Sequence, residues 1–213
     1  MIGLLKRVVG RMFSGHDDHP TIAIVEKETG VVQSTPPKRQ LPPRTDFTFL
    51  RDANVVLILD MQNMGAGAFE AGFKFRADWL IRRLRAECKS VTGIACMTLK
   101  PSVSCHRLFE SLQRSGYSVS VVEACRNQHE RGDVDNAVTR AIRDFGPGCE
   151  CLILGSGDHR VAEDVVSLQP APALTIVLNY PGRVHSRLRD VAEVVCVGKD
   201  LLMPLQSTHD KSK

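Results

Sequence analysis

The chain has 213 residues, of which 43% are hydrophobic and 24% are charged, and its formal net charge is +4. This composition is that of an ordinary globular protein with a real core, and the mild charge permits a polyanionic partner without requiring one. Seven cysteines, an odd number without C-x-x-C spacing, argue against a disulfide scaffold or a zinc site. A reducing, cytoplasmic location is therefore predicted. No apolar stretch has the roughly 18 to 20 residues that a bilayer span requires.

The first segment, residues 1–13, is basic and amphipathic. Its apolar residues recur at helical spacing and alternate with lysine and arginine, which is typical of a short helix on a membrane surface or on a protein partner. A frayed terminus explains the same pattern. The apolar positions are Ile2, Leu5, Val9 and Met12.

Residues 14–52 are rich in proline, threonine and charge, as in "STPPKRQLPPRTD". Proline opposes both helix and central strand, so this segment is predicted to be a linker with room for one short hairpin.

From residue 53 onward, short apolar runs alternate with amphipathic segments, which predicts a three-layer, Rossmann-like α/β domain with an open, mostly parallel sheet over residues 53–200. Residues 201–213 are predicted to be a flexible tail. The predicted strands are 54–60, 92–99, 117–124, 149–155, 173–179 and 192–198, and the predicted helices are 76–90, 103–115, 134–145, 159–168 and 183–191.

Polar residues follow three of the predicted strands. Asp60 ends the first strand and Asn63 comes three residues later, Asp133 and Asp135 open a helix in "RGDVDNAV", and Asp158 follows "LILGSG". In an open parallel sheet, functional groups collect beyond the carboxyl ends of the strands. Carboxylates brought together repel unless a cation neutralises them, and Mg²⁺ prefers oxygen ligands. This pattern favours metal-assisted hydrolysis of a phosphodiester.

Each acid before a helix is also explained as an N-cap, because its side chain can bond to free backbone amides. That explanation fits Asp133, Asp135 and Asp158 one at a time. It fits Asp60 less well, because this residue ends an apolar strand.

The stretches "LILDMQN" followed by a glycine-rich loop, "RGDVDNAV" and "LILGSGD" resemble the three signature stretches of NYN domains, which belong to the PIN-like nucleases. The resemblance covers Asn54 to Val197. It implies a metal-dependent ribonuclease fold with Mg²⁺ or Mn²⁺, and it favours Asp133 over Asp135 as a metal ligand. The matching catalytic positions are Asp60, Asn63, Asp133 and Asp158, of which the three aspartates are the implied metal ligands.

One position departs from the family, since Arg160 stands where NYN domains usually carry a second aspartate. A cation there weakens metal binding, or it grips a substrate phosphate together with Arg131 and Arg126. Glu163 or Asp164, one turn onward, could supply the missing oxygen.

The first functional hypothesis is thus a metal-dependent endoribonuclease with RNA as its partner, and a homo-oligomer stays open. The alternative is a catalytically silent RNA-binding or adaptor module. A phosphatase or receiver-type domain fits less well, because "LDMQN" lacks a second acid two residues after Asp60. Arginines on the predicted helix 76–90 are interpreted either as an RNA-facing surface or as a solvated face, and Trp79 on the same helix is predicted to pack near the core.

Overall fold

The computed structural model of the chain describes residues 40–99, 102–123 and 133–205. The predicted amphipathic segment, residues 14–39 of the predicted linker, and residues 206–213 lie outside the described part. The strands are β1 (Asn54–Asp60), β2 (Phe73–Phe75), β3 (Ser90–Leu99), β4 (Tyr117–Glu123), β5 (Cys151–Gly155), β6 (Leu174–Asn179), β7 (Glu193–Cys196) and β8 (Leu202–Pro204). The helices are α1 (Met61–Glu70), α2 (Ala77–Glu87), α3 (Val103–Arg114), α4 (Asp133–Phe145), α5 (Arg160–Val166) and α6 (Ser186–Arg189).

Six strands form one parallel sheet in the order β4-β3-β1-β5-β6-β7. The chain winds outward from β1 in one direction and then returns to β5 on the other side of β1, so the topological switch point lies between these two strands. A separate two-stranded antiparallel ribbon joins β2 to β8. The predicted three-layer, Rossmann-like α/β fold is confirmed.

Helices cover both faces of the sheet, and β1 shows why its sequence is apolar throughout. Leu57 and Leu59 belong to the core cluster that contains α1 and α2 side chains, while Val56 and Ile58 belong to the cluster with α4 and α5. A strand buried on both faces needs apolar residues at every position rather than at alternate ones. No helix in the described residues is long and apolar enough to span a membrane.

The packed domain extends beyond its predicted boundaries at both ends. Phe47 and Leu50, assigned to the linker, are buried in the core, and so is Leu201 from the predicted tail. The backbone N–H of Thr45 donates to Asp200 Oδ1 at 2.8 Å, and the N–H of Gly198 donates to Thr45 Oγ1 at 2.7 Å. The segment before β1 therefore packs into the domain despite its prolines, and it includes a short 3-10 helix at Thr48–Leu50.

Helix α1 occupies the segment that the sequence resemblance describes as a glycine-rich loop. Its inner side buries Met61, Met64 and Ala68, which stabilises a helix despite two glycines of low helix propensity. Gly67 serves packing, because a Cβ atom there would lie 2.2 Å from the Tyr180 ring. The expected loop is therefore wrong, and the glycine is explained by the close approach of the tyrosine.

Candidate functional site

Three aspartates converge at the carboxyl edge of the sheet, on both sides of the switch point. Asp60 is the last residue of β1, Asp158 follows the neighbouring strand β5, and Asp135 lies in the first turn of α4. Burial is the main cause that raises the pKa of Asp60, and the charges of Asp135 and Asp158, which come from separate segments of the chain, raise it further. We call these three residues the acidic site.

Asp60 is the most buried member, with a relative exposure of 6%. Its Oδ1 accepts hydrogen bonds from the backbone N–H of Gln62 at 3.0 Å and of Asn63 at 2.9 Å, so the side chain caps α1. Burial raises the pKa of this carboxyl, the two amide bonds lower it, and the neighbouring aspartates raise it further. The net direction is upward, which means that its negative charge is incompletely compensated.

Asp135 is paired with the arginine that departs from the family pattern. Arg160 Nη1 lies 2.8 Å from Asp135 Oδ2 and donates a hydrogen bond to it. Burial and the charge of Asp158 nevertheless raise the pKa of Asp135 above its usual value, against the lowering effect of Arg160. The guanidinium therefore offsets only part of the repulsion within the acidic site.

Asp158 lies two residues before the start of α5 and bonds to its first residue. Its Oδ1 accepts a hydrogen bond from the backbone N–H of Arg160 at 3.0 Å and lies 3.1 Å from His159 Nδ1. The His159 ring in turn lies 5.0 Å from the His185 ring, centroid to centroid. Asp158 precedes the N-cap residue of α5, which is His159, so the predicted N-cap role is wrong, although one of its carboxylate oxygens still bonds to the first N–H of the helix.

The side-chain amide of Asn63 connects the start of α1 to the end of β6. Asn63 Oδ1 accepts a hydrogen bond from Asn179 Nδ2 at 3.3 Å, and Asn179 Oδ1 accepts one from the N–H of Tyr180 at 2.7 Å. Asn179 is fully buried and was not selected from the sequence. The available signal was a polar residue ending an apolar strand, which is the same signal that identified Asp60. Gly157 makes room, since a Cβ there would lie 2.6 Å from Asn179 Nδ2.

Several predicted residues do not join the acidic site. Glu163 pairs with Arg187 at 3.2 Å, and Asp164 is bound by Thr139 and Arg143. Asp133 is the first residue of α4, but its side chain lies outside the described part of the structure, and so do Arg126 and Arg131 entirely.

Two arginines of α2 bind other residues of the same domain. Arg83 pairs with Glu87 and Asp200, and Arg85 donates to the backbone carbonyls of Ser115 and Gly116. The interpretation of this helix as an RNA-facing surface therefore loses two of its charges. Trp79 is exposed rather than packed near the core, and the Arg76 guanidinium lies 4.7 Å from its ring centroid.

The donor chemistry of the acidic site fits a hard divalent cation. Each of its carboxylates is hydrogen-bonded through one oxygen, and no described residue donates to Asp60 Oδ2, Asp135 Oδ1 or Asp158 Oδ2. Three carboxylates and one guanidinium leave two negative charges, which one divalent ion would balance. As the described side chains stand, however, no group of three or more Asp, Glu, His or Cys residues could hold a metal ion. Binding would require the carboxylates to draw together.

The fold and the acidic edge define a Rossmann-like α/β protein with a carboxylate cluster at its switch point. No protein-family model matches the chain, and no curated protein matches it. Its fold is similar to the crystal structure of a protein of unknown function from Vibrio parahaemolyticus RIMD 2210633, with a TM-score of 0.63 and 20% sequence identity. That similarity covers 72% of this chain and 98% of the other, and it bears on the fold alone.

Proposed function

We propose that this chain is a metal-dependent endoribonuclease whose acidic site consists of Asp60, Asp135 and Asp158. The observation that carries the proposal is the convergence of three carboxylates at the switch point: Asp60 ends β1, Asp158 follows the neighbouring β5, and Asp135 lies in the first turn of α4. Burial and the neighbouring carboxylates raise the pKa of Asp60 and of Asp135. Perturbed carboxylates at a switch point are typical of functional sites. The resemblance to NYN domains supplies the reaction class.

Mg²⁺ or Mn²⁺ would be held by the free oxygens of the three carboxylates, and Asp133 is a further ligand implied by the resemblance. A bound divalent ion polarises a phosphate and activates water. Asn63, fixed by Asn179, would orient a substrate or water through its amide. The Arg160 guanidinium donates a hydrogen bond to Asp135. In the complex with substrate it would release this carboxylate and bind a phosphate in its place.

The test is cleavage of labelled single-stranded and structured RNA with Mg²⁺, with Mn²⁺ or with a chelator. We expect cleavage that requires metal and falls by at least about 100-fold in Asp60→Asn, because the site loses a charged ligand. Asparagine caps a helix as well as aspartate does, so α1 should remain folded in this variant.

Asp144→Asn is the matched control, since Asp144 is an exposed carboxylate on α4 away from the acidic site. Its cleavage rate should equal that of the wild type. Equal cleavage by Asp60→Asn and the wild type, or cleavage that persists in chelator, would contradict the proposal.

The second candidate is a catalytically silent RNA-binding or adaptor module. The ion pair between Arg160 and Asp135 favours it, because a guanidinium already stands among the carboxylates. This candidate predicts no cleavage under any metal condition, with RNA binding unchanged by Asp60→Asn.

A further inference from the structure

A groove of about 720 Å³ lies against α1, the helix that Asp60 caps. Its walls are the second half of α1 with the turn after it, Gln40 and Leu41, the loop that follows β6, and Lys199, which follows β7. Two of these segments come directly after parallel strands, where ligands of open α/β sheets bind.

An exposed aromatic ring borders the groove. Phe69 on α1 is 69% exposed, the largest value among the exposed large hydrophobic residues in the described part of the chain. Gly67 lies two residues earlier on the same helix, and its lack of a side chain lets the Tyr180 ring pack closely against α1. The Tyr180 ring is thereby buried in the core, whereas most of the Phe69 ring surface is exposed and available to a ligand.

Two cations face the same groove. Lys199 is exposed and forms no ion pair with a described residue, and the Arg183 side chain is 31% exposed. Arg183 Nη1 lies 3.1 Å from Glu70 Oε2 and has no solvent-exposed surface, whereas the Glu70 side chain is 66% exposed and also lines the groove. A phosphate would therefore approach the exposed part of the Arg183 side chain in competition with the Glu70 carboxylate.

The groove is connected to the acidic site by direct contacts. Tyr180 donates its hydroxyl hydrogen to Met64 O at 3.0 Å, and its backbone N–H binds Asn179, which contacts Asn63. Asn63 donates its N–H to Asp60. A ligand in the groove would thus lie against the same helix and loop that position the acidic site.

We propose that this groove binds an unpaired nucleotide of the substrate, with its base against Phe69 and its phosphate against Arg183 and Lys199. An exposed ring in a groove that two cations line matches a polyanion that presents the flat faces of its bases, as a single strand does. A duplex buries those faces by stacking, so the substrate class is single-stranded RNA. The inference rests on RNA being the partner in the proposed function.

The test measures binding by fluorescence anisotropy in chelator, so that no cleavage occurs. The probes are a short labelled oligouridine and a labelled RNA hairpin without an unpaired tail. Phe69→Ala should weaken oligouridine binding by roughly 5- to 150-fold and leave hairpin binding unchanged. Arg183→Gln should weaken oligouridine binding as well and reduce its salt dependence.

Phe145→Ala is the control, because Phe145 is another exposed phenylalanine at the end of α4 and does not line the groove. Oligouridine affinity that is equal in Phe69→Ala and Phe145→Ala would overturn the inference, and so would absence of oligouridine binding by the wild type.

Cleavage assays separate the two proposals. Metal-dependent cleavage of single strands with the same KM in Phe69→Ala and the wild type would overturn nucleotide binding in the groove and leave the nuclease proposal intact. Oligouridine binding that requires Phe69, without cleavage in any metal, would support the groove and overturn the nuclease.

Discussion

Two ion pairs join the same two helices, α4 and α5, and they differ in how completely their carboxylates are bonded. Asp164 of α5 accepts hydrogen bonds on both oxygens, from Thr139 Oγ1 at 2.7 Å and from Arg143 Nε and Nη2 at 3.1 and 2.8 Å. Its side chain is 8% exposed. Every part of this carboxylate is satisfied, so it acts as a structural link between the helices.

Asp135 of α4 accepts one hydrogen bond, from Arg160, and its side chain is 28% exposed. Burial first and the like charge of Asp158 second raise its pKa. The same kind of ion pair is therefore complete at one place and incomplete at the other. Local sites that violate the rules of stable packing are where binding or catalysis is expected.

Removing the satisfied carboxylate should have the largest effect on folding. Asp164→Ala is expected to lower the free energy of unfolding by about 1–3 kcal/mol, because Thr139 and Arg143 lose their acceptor. Urea unfolding measures this loss, and Asp144→Ala, at an exposed position on α4, should stay within about 0.5 kcal/mol of the wild type. A loss no greater than that of Asp135→Ala would remove the distinction between the two pairs.

Neutralising the arginine of the incomplete pair should change metal binding more than stability. Arg160→Gln is expected to tighten Mn²⁺ binding, measured by titration calorimetry, on the order of 3- to 30-fold, since a repelling charge is removed. Arg143→Gln should leave Mn²⁺ affinity unchanged and lower stability instead. Weaker Mn²⁺ binding by Arg160→Gln would mean that the guanidinium organises the carboxylates rather than opposing the metal.

The smallest effect is a gain in stability. Asp135→Asn is expected to raise the free energy of unfolding at neutral pH by about 0.2–1 kcal/mol, because a partly buried charge and its repulsion from Asp158 are both removed. A carboxyl whose pKa is raised on folding loses stability as pH rises from its usual value of 3.8 through the raised value. The gain should therefore appear across that interval and be absent in more acidic solution, as urea unfolding at a series of pH values would show. A gain that is the same at all pH values would exclude electrostatic relief as its cause.

Much of the fold could be predicted from the sequence because buried parallel strands are continuous apolar runs. All six strands of the main sheet and helices α2 to α6 were located, with ends displaced by a few residues. Helix α1 was missed because Gly65 and Gly67 suggest a loop, and only the packing of Tyr180 explains the second of them. The burial of Phe47 was missed as well, since it depends on contacts with distant parts of the chain.

At the candidate site, the position of Asp60 and Asp158 at the carboxyl edge follows from strand order and could be predicted. The role of Asp135 could not, because the sequence does not give the rotation of α4 about its own axis. Its ion pair with Arg160 joins residues 25 positions apart, and no local sequence pattern predicts such a contact.

The contacts of Thr45 with Gly198 and Asp200 bring the two ends of the domain side by side. Gln40 and Gly72 line one groove, and the N–H of Leu205 donates to Gly72 O at 3.2 Å. A domain that the chain enters and leaves at neighbouring points can be inserted into a surface loop of another protein with little distortion of either. For the same reason, a short peptide could join residue 205 to residue 40 and allow the chain to be reopened at an exposed turn elsewhere.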